Sequence, residues 1–216
     1  MNIIAGAVAA ALGAGAAYPI ATWFERGHWR RGEDPLPRRV DRLLLAMALA
    51  ITCALLGATL GHARLWPAAA AAIILALTGT AMCLVDLAVH RMPEPVTLAT
   101  YGIVGGVLLM GAAVTGQWGQ LGQAVAGGAV LWVMFFLYSL VTGLGFADVQ
   151  MLGIGGLVLG WIGWGAVLAG AAGAIFIPGL WAAVALLAGR RGHFAAGPPI
   201  LVGILLAAAA AGAGAL

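Results

Sequence analysis

The sequence predicts an all-α polytopic membrane protein of about eight transmembrane helices. Of the 216 residues, 63% are hydrophobic and only 8% are charged, which is more apolar surface than a soluble core of this length requires. Most of the apolar residues fall into segments close to the length of about 20 residues that crosses the hydrocarbon core of a bilayer. Glycine is abundant, as expected where membrane helices pack closely through small residues.

The apolar segments follow one another with short connections. They cover approximately residues 2–23, 43–62, 67–86, 96–116, 121–141, 149–163, 166–188 and 198–215. The first segment has no basic residue before it, which favours a retained helix over a signal peptide. The sixth segment is short, and its boundary with the seventh falls between Gly163 and Gly165. The pairs Gly102/Gly106 and Gly156/Gly160 have the small-x-x-x-small spacing that predicts close helix contacts.

The distribution of arginine supports this number of segments. All ten cations are Arg, and nine fall in the four connections that share one side of the membrane in an eight-span topology. These nine are Arg26, Arg30, Arg31, Arg38, Arg39, Arg42, Arg91, Arg190 and Arg191. By the positive-inside rule that side is the cytoplasm, and the N-terminus lies outside. The net charge of +3 therefore indicates membrane topology and contact with lipid, and we expect no nucleic-acid partner.

Two aspartates, Asp86 and Asp148, stand at the ends of apolar segments on the predicted cytoplasmic side. An ionised carboxylate beside hydrocarbon is costly, so a membrane protein that keeps one usually needs it for function. Prolines follow Asp86, and glycines precede Asp148. Each residue alone also has a plain structural explanation. Asp86 could reach water or pair with Arg91, and Asp148 could be a helix N-cap.

The pair of aspartates is more informative than either residue. Two carboxylates at close range share one proton, which provides a base to activate water and an acid to polarise a peptide carbonyl. This chemistry needs no cofactor, and no close set of His and Cys predicts a metal. We therefore predict a membrane aspartyl peptidase with Asp86 and Asp148 as its catalytic residues. The neighbouring residues predicted to shape the site are Pro93, Glu94, Gly143, Gly145, Ala147 and Gln150.

These segments resemble the type IV prepilin peptidases, membrane aspartyl peptidases that cleave the leader of prepilin-like proteins. In that family an Asp at a helix end is followed seven residues later by Pro and an acidic or amide residue, as in Asp86, Pro93 and Glu94. The second family segment matches at Gly143, Gly145, Asp148, Gly156, Gly160 and Trp161. The segment 194–198 is similar to the Phe-Gly-Pro entry into the last span. Ala147 and Gln150 replace a Gly and a Lys of the family pattern, and Glu94 stands where Asp is commoner.

The resemblance implies a substrate, a location and a domain organisation. The substrate is a prepilin-like or pseudopilin-like protein with a basic leader and an apolar helix. The location is the plasma membrane of a bacterium or archaeon, with the active site facing the cytoplasm between spans three, four and six. Larger family members carry a methyltransferase domain with Cys-x-x-Cys motifs. Here residues 1–216 predict a single membrane-embedded peptidase domain, with the short loop 24–42 in place of that domain.

Two other functions are compatible with paired acids in a membrane. A presenilin-like intramembrane peptidase also uses a Gly-x-Gly-Asp segment, but it places its other Asp deep in a span, usually beside Tyr. Asp86 follows Val85 at a span end, which disfavours that assignment. A small transporter could bind ions with two acids, but that function predicts repeats and broken helices at the midplane, and no repeat is found.

Overall fold

A computed structural model describes residues 1–189 and 195–215 of the chain. Within these ranges the chain forms eight α-helices and no β-strand. They are α1 (Ile3–Arg26), α2 (Arg42–Leu60), α3 (Trp66–Val89), α4 (Glu94–Thr115), α5 (Trp118–Thr142), α6 (Phe146–Ile162), α7 (Trp164–Leu187) and α8 (Gly197–Gly212). Six are long and apolar enough to cross a membrane, and α6 and α8 are shorter, with 17 and 16 residues. The prediction of a polytopic all-α membrane protein is confirmed.

The helix ends refine the predicted spans around the two aspartates. Helix α3 continues to Val89, so Asp86 lies inside its last turn. Helix α6 begins at Phe146, which places Asp148 in its first turn. The break between α6 and α7 falls at Gly163, where φ is 150°, as the sequence predicted. Each carboxylate therefore belongs to a helix end and not to a loop.

Helix α6 runs through the middle of the bundle, and glycine lets its neighbours approach closely. A Cβ atom added to Gly156 would lie 2.5 Å from the carbonyl oxygen of Gly127 on α5. A Cβ atom added to Gly160 would meet the carbonyl oxygen of Gln123 at the same distance. These contacts confirm the close packing predicted for Gly156/Gly160. They fix the helix that carries Asp148 against α5.

The same prediction for Gly102/Gly106 is wrong. A Cβ atom at either position would meet no atom within 4 Å among the described residues. Helix α4 instead turns Val104 and Leu108 towards the core, where both are buried. Because Gly102 and Gly106 lie on the other side of α4, their spacing serves no contact between helices within the described structure.

Three connections meet at one end of the bundle, which we call the arginine-rich end: residues 27–41, 90–93 and 143–145. The guanidinium of Arg91 pairs with the carboxylate of Asp34, which ties the first two connections together. The segment entering α8 reaches the same end, where Gly197 contacts Asp86 on α3. The shared side predicted for these connections is thus present in the fold. Arg190 and Arg191, which the sequence also assigned to this side, lie outside the described residues.

The connection 27–41 packs onto the ends of the first three helices. The Trp29 ring stacks on Phe24 of α1 with ring centroids 5.3 Å apart, and its indole N–H donates to the Phe24 carbonyl at 2.9 Å. Val85, beside Asp86 on α3, belongs to the same buried cluster. This buried apolar cluster therefore supports the turn of α3 that carries Asp86.

Candidate active site

Asp86 is held between the last turn of α3 and the first residue of α8. Its side chain is buried, and the residue is only 6% exposed. The carboxylate oxygen Oδ2 accepts a hydrogen bond of 3.0 Å from the backbone N–H of Gly197. His90 ends α3 in the left-handed conformation, with φ 52°, and its N–H donates to the Asp86 carbonyl at 2.8 Å. The cap thus fixes the backbone of Asp86, while α8 fixes its carboxylate.

Asp148 reaches the same region from the start of its helix, whereas Asp86 lies at the end of its helix. Gly143 ends α5 with φ 74°, a conformation that glycine adopts without steric cost, and Gly145 is the N-cap of α6. Asp148 is then the third residue of α6 and is 8% exposed. Its Oδ2 lies against Gly145, since a Cβ atom added there would be 3.1 Å away. Its Oδ1 is buried and has no hydrogen-bond partner among the described residues.

Both aspartates line one cavity of about 590 Å³ at the arginine-rich end. Its walls come from the end of α3, the end of α5, the start of α6, the middle of α7 and the start of α8. The residues around it are Asp86, His90, Phe135, Tyr138, Thr142, Gly143, Leu144, Gly145, Asp148, Ala174, Ile175, Pro178, Gly179, Ala182, Ala196 and Ile200. The cavity brings together two carboxylates that are 62 residues apart in the sequence.

The expectation that the fourth span would line this cavity is wrong. Helix α4 packs its inner face against α3 and α6 instead. The Thr97 hydroxyl donates to the Met82 sulfur at 3.2 Å, and the Tyr101 hydroxyl donates to the Gln150 carbonyl at 2.8 Å. Helix α4 therefore supports the helices that carry the aspartates but does not contribute to the wall.

The structure divides the predicted site-shaping residues into two groups. Gly143 and Gly145 line the cavity with the aspartates. The other four do not line it: Pro93 is the N-cap of α4, Glu94 begins that helix and is exposed, Ala147 packs against the core, and Gln150 offers its carbonyl to Tyr101. The turn at Pro93 thus redirects the chain, whereas the turn at Gly145 forms part of the site.

Several lining residues had no signal in the sequence. Phe135 and Tyr138 come from α5, and Ala174 and Pro178 come from α7, where apolar residues look like any other membrane-facing positions. Gly197 lies in the segment 194–198 that resembles the family's entry into the last span, but that resemblance does not reveal the contact of its backbone N–H with Asp86. Within residues 1–189 and 195–215, no three His, Cys, Asp or Glu side chains are grouped closely enough to hold a metal ion.

The chain is similar to two curated proteins named prepilin leader peptidase/N-methyltransferase. It is 30% identical to that of Aeromonas hydrophila over 158 residues, covering 66% of this chain and 49% of the relative. It is 28% identical to that of Aeromonas salmonicida (strain A449) over 177 residues, covering 75% of this chain and 56% of the relative. The chain is thus distantly similar to the prepilin leader peptidases. This similarity confirms the resemblance drawn from the two aspartate motifs.

The chain spans about half the length of the prepilin leader peptidases it matches. A stretch that covers 75% of the chain has to include its middle, so the match to Aeromonas salmonicida contains both aspartate motifs. No family model matches the sequence. No solved structure matches it either.

Proposed function

We propose that this chain is an aspartic endopeptidase that cleaves the leader of prepilin-like proteins at the cytoplasmic boundary of the membrane. The observation that carries the proposal is the convergence of Asp86 and Asp148 on one cavity at the arginine-rich end. Neither buried carboxylate forms an ion pair within the described residues, and such groups are costly to keep, which favours a catalytic role over a structural one. The similarity to prepilin leader peptidases supports the same reaction.

In the proposed reaction the two carboxyl groups share one proton and hold a water molecule between them. The ionised carboxylate takes a proton from the water as its oxygen attacks the scissile carbonyl carbon. The protonated carboxyl gives its proton to the carbonyl oxygen, which becomes the hydroxyl of a tetrahedral intermediate. The intermediate then collapses: one of its hydroxyl groups gives its proton to the second aspartate, the C–N bond breaks, and the leaving nitrogen takes a proton from the first aspartate. The two residues exchange roles as base and acid during one turnover.

The two sides of the cavity fit the two halves of such a substrate. On the side of α5 and α7 the wall is mostly apolar, and Tyr138 and Ile175 are each 43% exposed. An apolar helix in the bilayer can pack there and hold the scissile bond near the aspartates. The basic leader then lies in the cytoplasm beyond the arginine-rich end.

The arginines and the cysteines support the remaining parts of the proposal. Nine of ten Arg residues in connections on one side favour a plasma-membrane protein with the site facing the cytoplasm. Residues 1–216 then act as one membrane-embedded peptidase domain serving a type IV pilus or a related secretion system. Cys53 and Cys83 are both buried within helices, so we propose the peptidase reaction without methyl transfer for this domain.

The four aspartates of the chain allow a matched test. Asp86→Asn and Asp148→Asn each keep the size of the side chain but remove its acid–base function. We expect either change to reduce leader cleavage by roughly 10²- to 10⁴-fold. The measurement is the gel mobility of a prepilin co-expressed with each variant, with membrane insertion checked by fractionation.

Asp34→Asn and Asp41→Asn are the control variants, because both residues lie on the connection 27–41, outside the cavity. They should process the prepilin at the rate of the unchanged protein. Normal processing by both Asp86→Asn and Asp148→Asn would end the catalytic assignment.

A further inference from the structure

The two carboxyl groups of the cavity have different hydrogen-bond surroundings. Asp86 receives an N–H from the first residue of α8, a second helix whose N-terminus carries partial positive charge. Asp148 lies in the first turn of its own helix with its Oδ2 beside the backbone of Gly145, but its Oδ1 is buried with no partner among the described residues. A hydrogen bond to the charged form favours that form, whereas an unpaired buried oxygen disfavours charge.

Gly197 is the residue that lets α8 approach the carboxylate. A Cβ atom added to Gly197 would lie 2.9 Å from Oδ2 of Asp86 and 2.7 Å from Cε of Met92. The hydrogen bond crosses between α3 and α8 with both partners buried. Any side chain at this position therefore displaces Asp86 from the N–H or displaces α8 from α3.

We propose that Gly197 is a positioning residue whose backbone N–H holds Asp86 as the ionised member of the pair, so that Asp148 carries the shared proton. This assignment rests on the proposed peptidase function. It makes Asp86 the base that takes a proton from water, and Asp148 the acid that protonates the scissile carbonyl. After attack Asp86 holds the water proton, and Asp148 has given its own to the substrate oxygen.

Among the described residues, the N–H of Gly197 is the hydrogen-bond donor to the Asp86 carboxylate, and His90 is the basic side chain that shares the cavity with it. The other described titratable side chains near Asp86 are Cys83 on α3, Tyr138 on α5 and Asp148 on α6. Helix α7 contributes only apolar residues and Gly179 to the cavity wall. Arg91, one residue beyond His90, is paired with Asp34. A negative charge at Asp86 also disfavours a second negative charge at Asp148.

The first test is Gly197→Ala, measured by the rate and the pH dependence of prepilin cleavage. We expect kcat to fall by roughly 10²-fold, since small displacements of catalytic groups have effects of this size. The acidic limb of the kcat/KM profile should move to higher pH, because the ionised form of Asp86 loses its donor. A purely structural role for Gly197 would lower the amount of active protein and leave the pH profile unchanged.

Two further changes separate displacement of the carboxylate from crowding. Gly155→Ala places a Cβ atom 2.7 Å from Ile204 on α8 and is far from the cavity wall, so it reproduces the crowding alone. Met92→Ala removes the other group that a Cβ atom at Gly197 would meet. We expect Gly155→Ala to keep the normal pH profile. The double variant Gly197→Ala/Met92→Ala should stay impaired, and its recovery would overturn the role of Gly197.

The second test measures the protonation state of each aspartate directly. The chain has only four aspartates, so protein labelled with ¹³C at the aspartate carboxyl gives four resonances. Asp34→Asn and Asp41→Asn identify the two outside the cavity, and Asp86→Asn and Asp148→Asn identify the other two, each by the resonance that it removes. At neutral pH we expect the Asp86 resonance at the ionised position and the Asp148 resonance at the protonated position.

The outcomes distinguish failure of this assignment from failure of the proposed function. If Asp86 is protonated, or both residues are ionised at neutral pH, the assignment is wrong even where Asp86→Asn and Asp148→Asn are inactive. If those two variants cleave prepilin normally, the peptidase mechanism itself is wrong, whatever the resonances show.

Discussion

Helices α6 and α7 both line the cavity, yet they are packed in opposite ways. Helix α6 buries most of its 17 residues, including Asp148, while α7 buries only Ala166, Val167, Gly170 and Ala174 of its 24. The buried helix carries the carboxylate, and the exposed helix forms a wall without a titratable group. Within this fold the Asp148 carboxylate is held by close packing, and the α7 side of the cavity belongs to a largely exposed helix.

The glycines of α6 and of α7 have different structural roles. On α6, Gly156 and Gly160 bring α5 into backbone contact, and Gly155 receives the Ile204 side chain of α8. On α7, Gly179 follows Pro178 at the cavity, and a Cβ atom added to Gly179 would meet no described atom within 4 Å. Substitutions at the two kinds of glycine should therefore affect different properties, stability on α6 and substrate access on α7.

The largest effect is expected from Gly156→Val on α6. A Cβ atom there would meet the backbone of α5 at 2.5 Å, and a backbone cannot move aside as a side chain can. Overpacking of this kind costs about 1–3 kcal/mol or more, and it would separate α5 from the helix that carries Asp148. We expect loss of thermal stability and of cleavage together. The control is Gly106→Val on the outer side of α4, which should keep both thermal stability and cleavage. An equal loss in the two variants would contradict the difference between glycines that do and do not contact another helix.

A smaller and more selective effect is expected from Gly179→Phe on α7. The added ring has room beside the backbone and enters the cavity, so it should compete with the substrate without disturbing the fold. We expect kcat/KM for prepilin to fall by roughly tenfold while the thermal transition of the detergent-solubilised protein stays unchanged. Leu180→Phe, at an adjacent residue that is 67% exposed and outside the cavity wall, is the control. An unaffected rate in Gly179→Phe would show that substrates do not use this wall.

The helices and the position of the two aspartates at helix ends could be predicted from the sequence because both depend on local composition. Long apolar segments, the distribution of Arg and the position of Asp86 and Asp148 can all be read without knowing which helices touch. Helix contacts cannot be read in this way. Gly102/Gly106 and Gly156/Gly160 have the same spacing, but only the second pair faces another helix. The N–H of Gly197 on Asp86 joins residues 111 positions apart and depends on how α8 packs against α3.

A modest loss of stability is expected from Tyr101→Phe, which tests the other support of α6. The Tyr101 hydroxyl on α4 donates to the Gln150 carbonyl within the turn that follows Asp148. Interhelical hydrogen bonds in membranes contribute about 0.6 kcal/mol on average and at most about 1.7 kcal/mol. We expect a small decrease in the thermal transition and a small decrease in cleavage. Tyr138→Phe removes a hydroxyl that has no hydrogen bond among the described residues, so it should leave stability unchanged, and a matching loss in both variants would argue against this bond.

The smallest effect is expected from the ion pair between Asp34 and Arg91, which adds to the buried Trp29 contact on the connection 27–41. The backbone N–H of Arg31 donates to Asp34 at 2.6 Å, and together with the Arg91 guanidinium it holds the pKa of Asp34 below its usual value. A lowered carboxyl pKa stabilises the fold above the unfolded value of about 3.9, and this stabilisation is lost as the pH falls through the folded value. Asp34→Asn should therefore lower the thermal transition slightly at neutral pH and not at strongly acidic pH.

Exposed ion pairs contribute little to stability, so the expected difference is close to the limit of measurement. The neighbouring change Glu33→Gln, at an exposed residue that forms no ion pair within the described structure, should show no difference at either pH. A loss in Asp34→Asn that persists unchanged in acid would mean that the Asp34 carboxylate is not what ties this connection to α3. The anchor would then be the stacking of Trp29 on Phe24 beside Val85, which does not titrate. In that case apolar packing, and not the ion pair, ties this connection to the turn of α3 that carries Asp86.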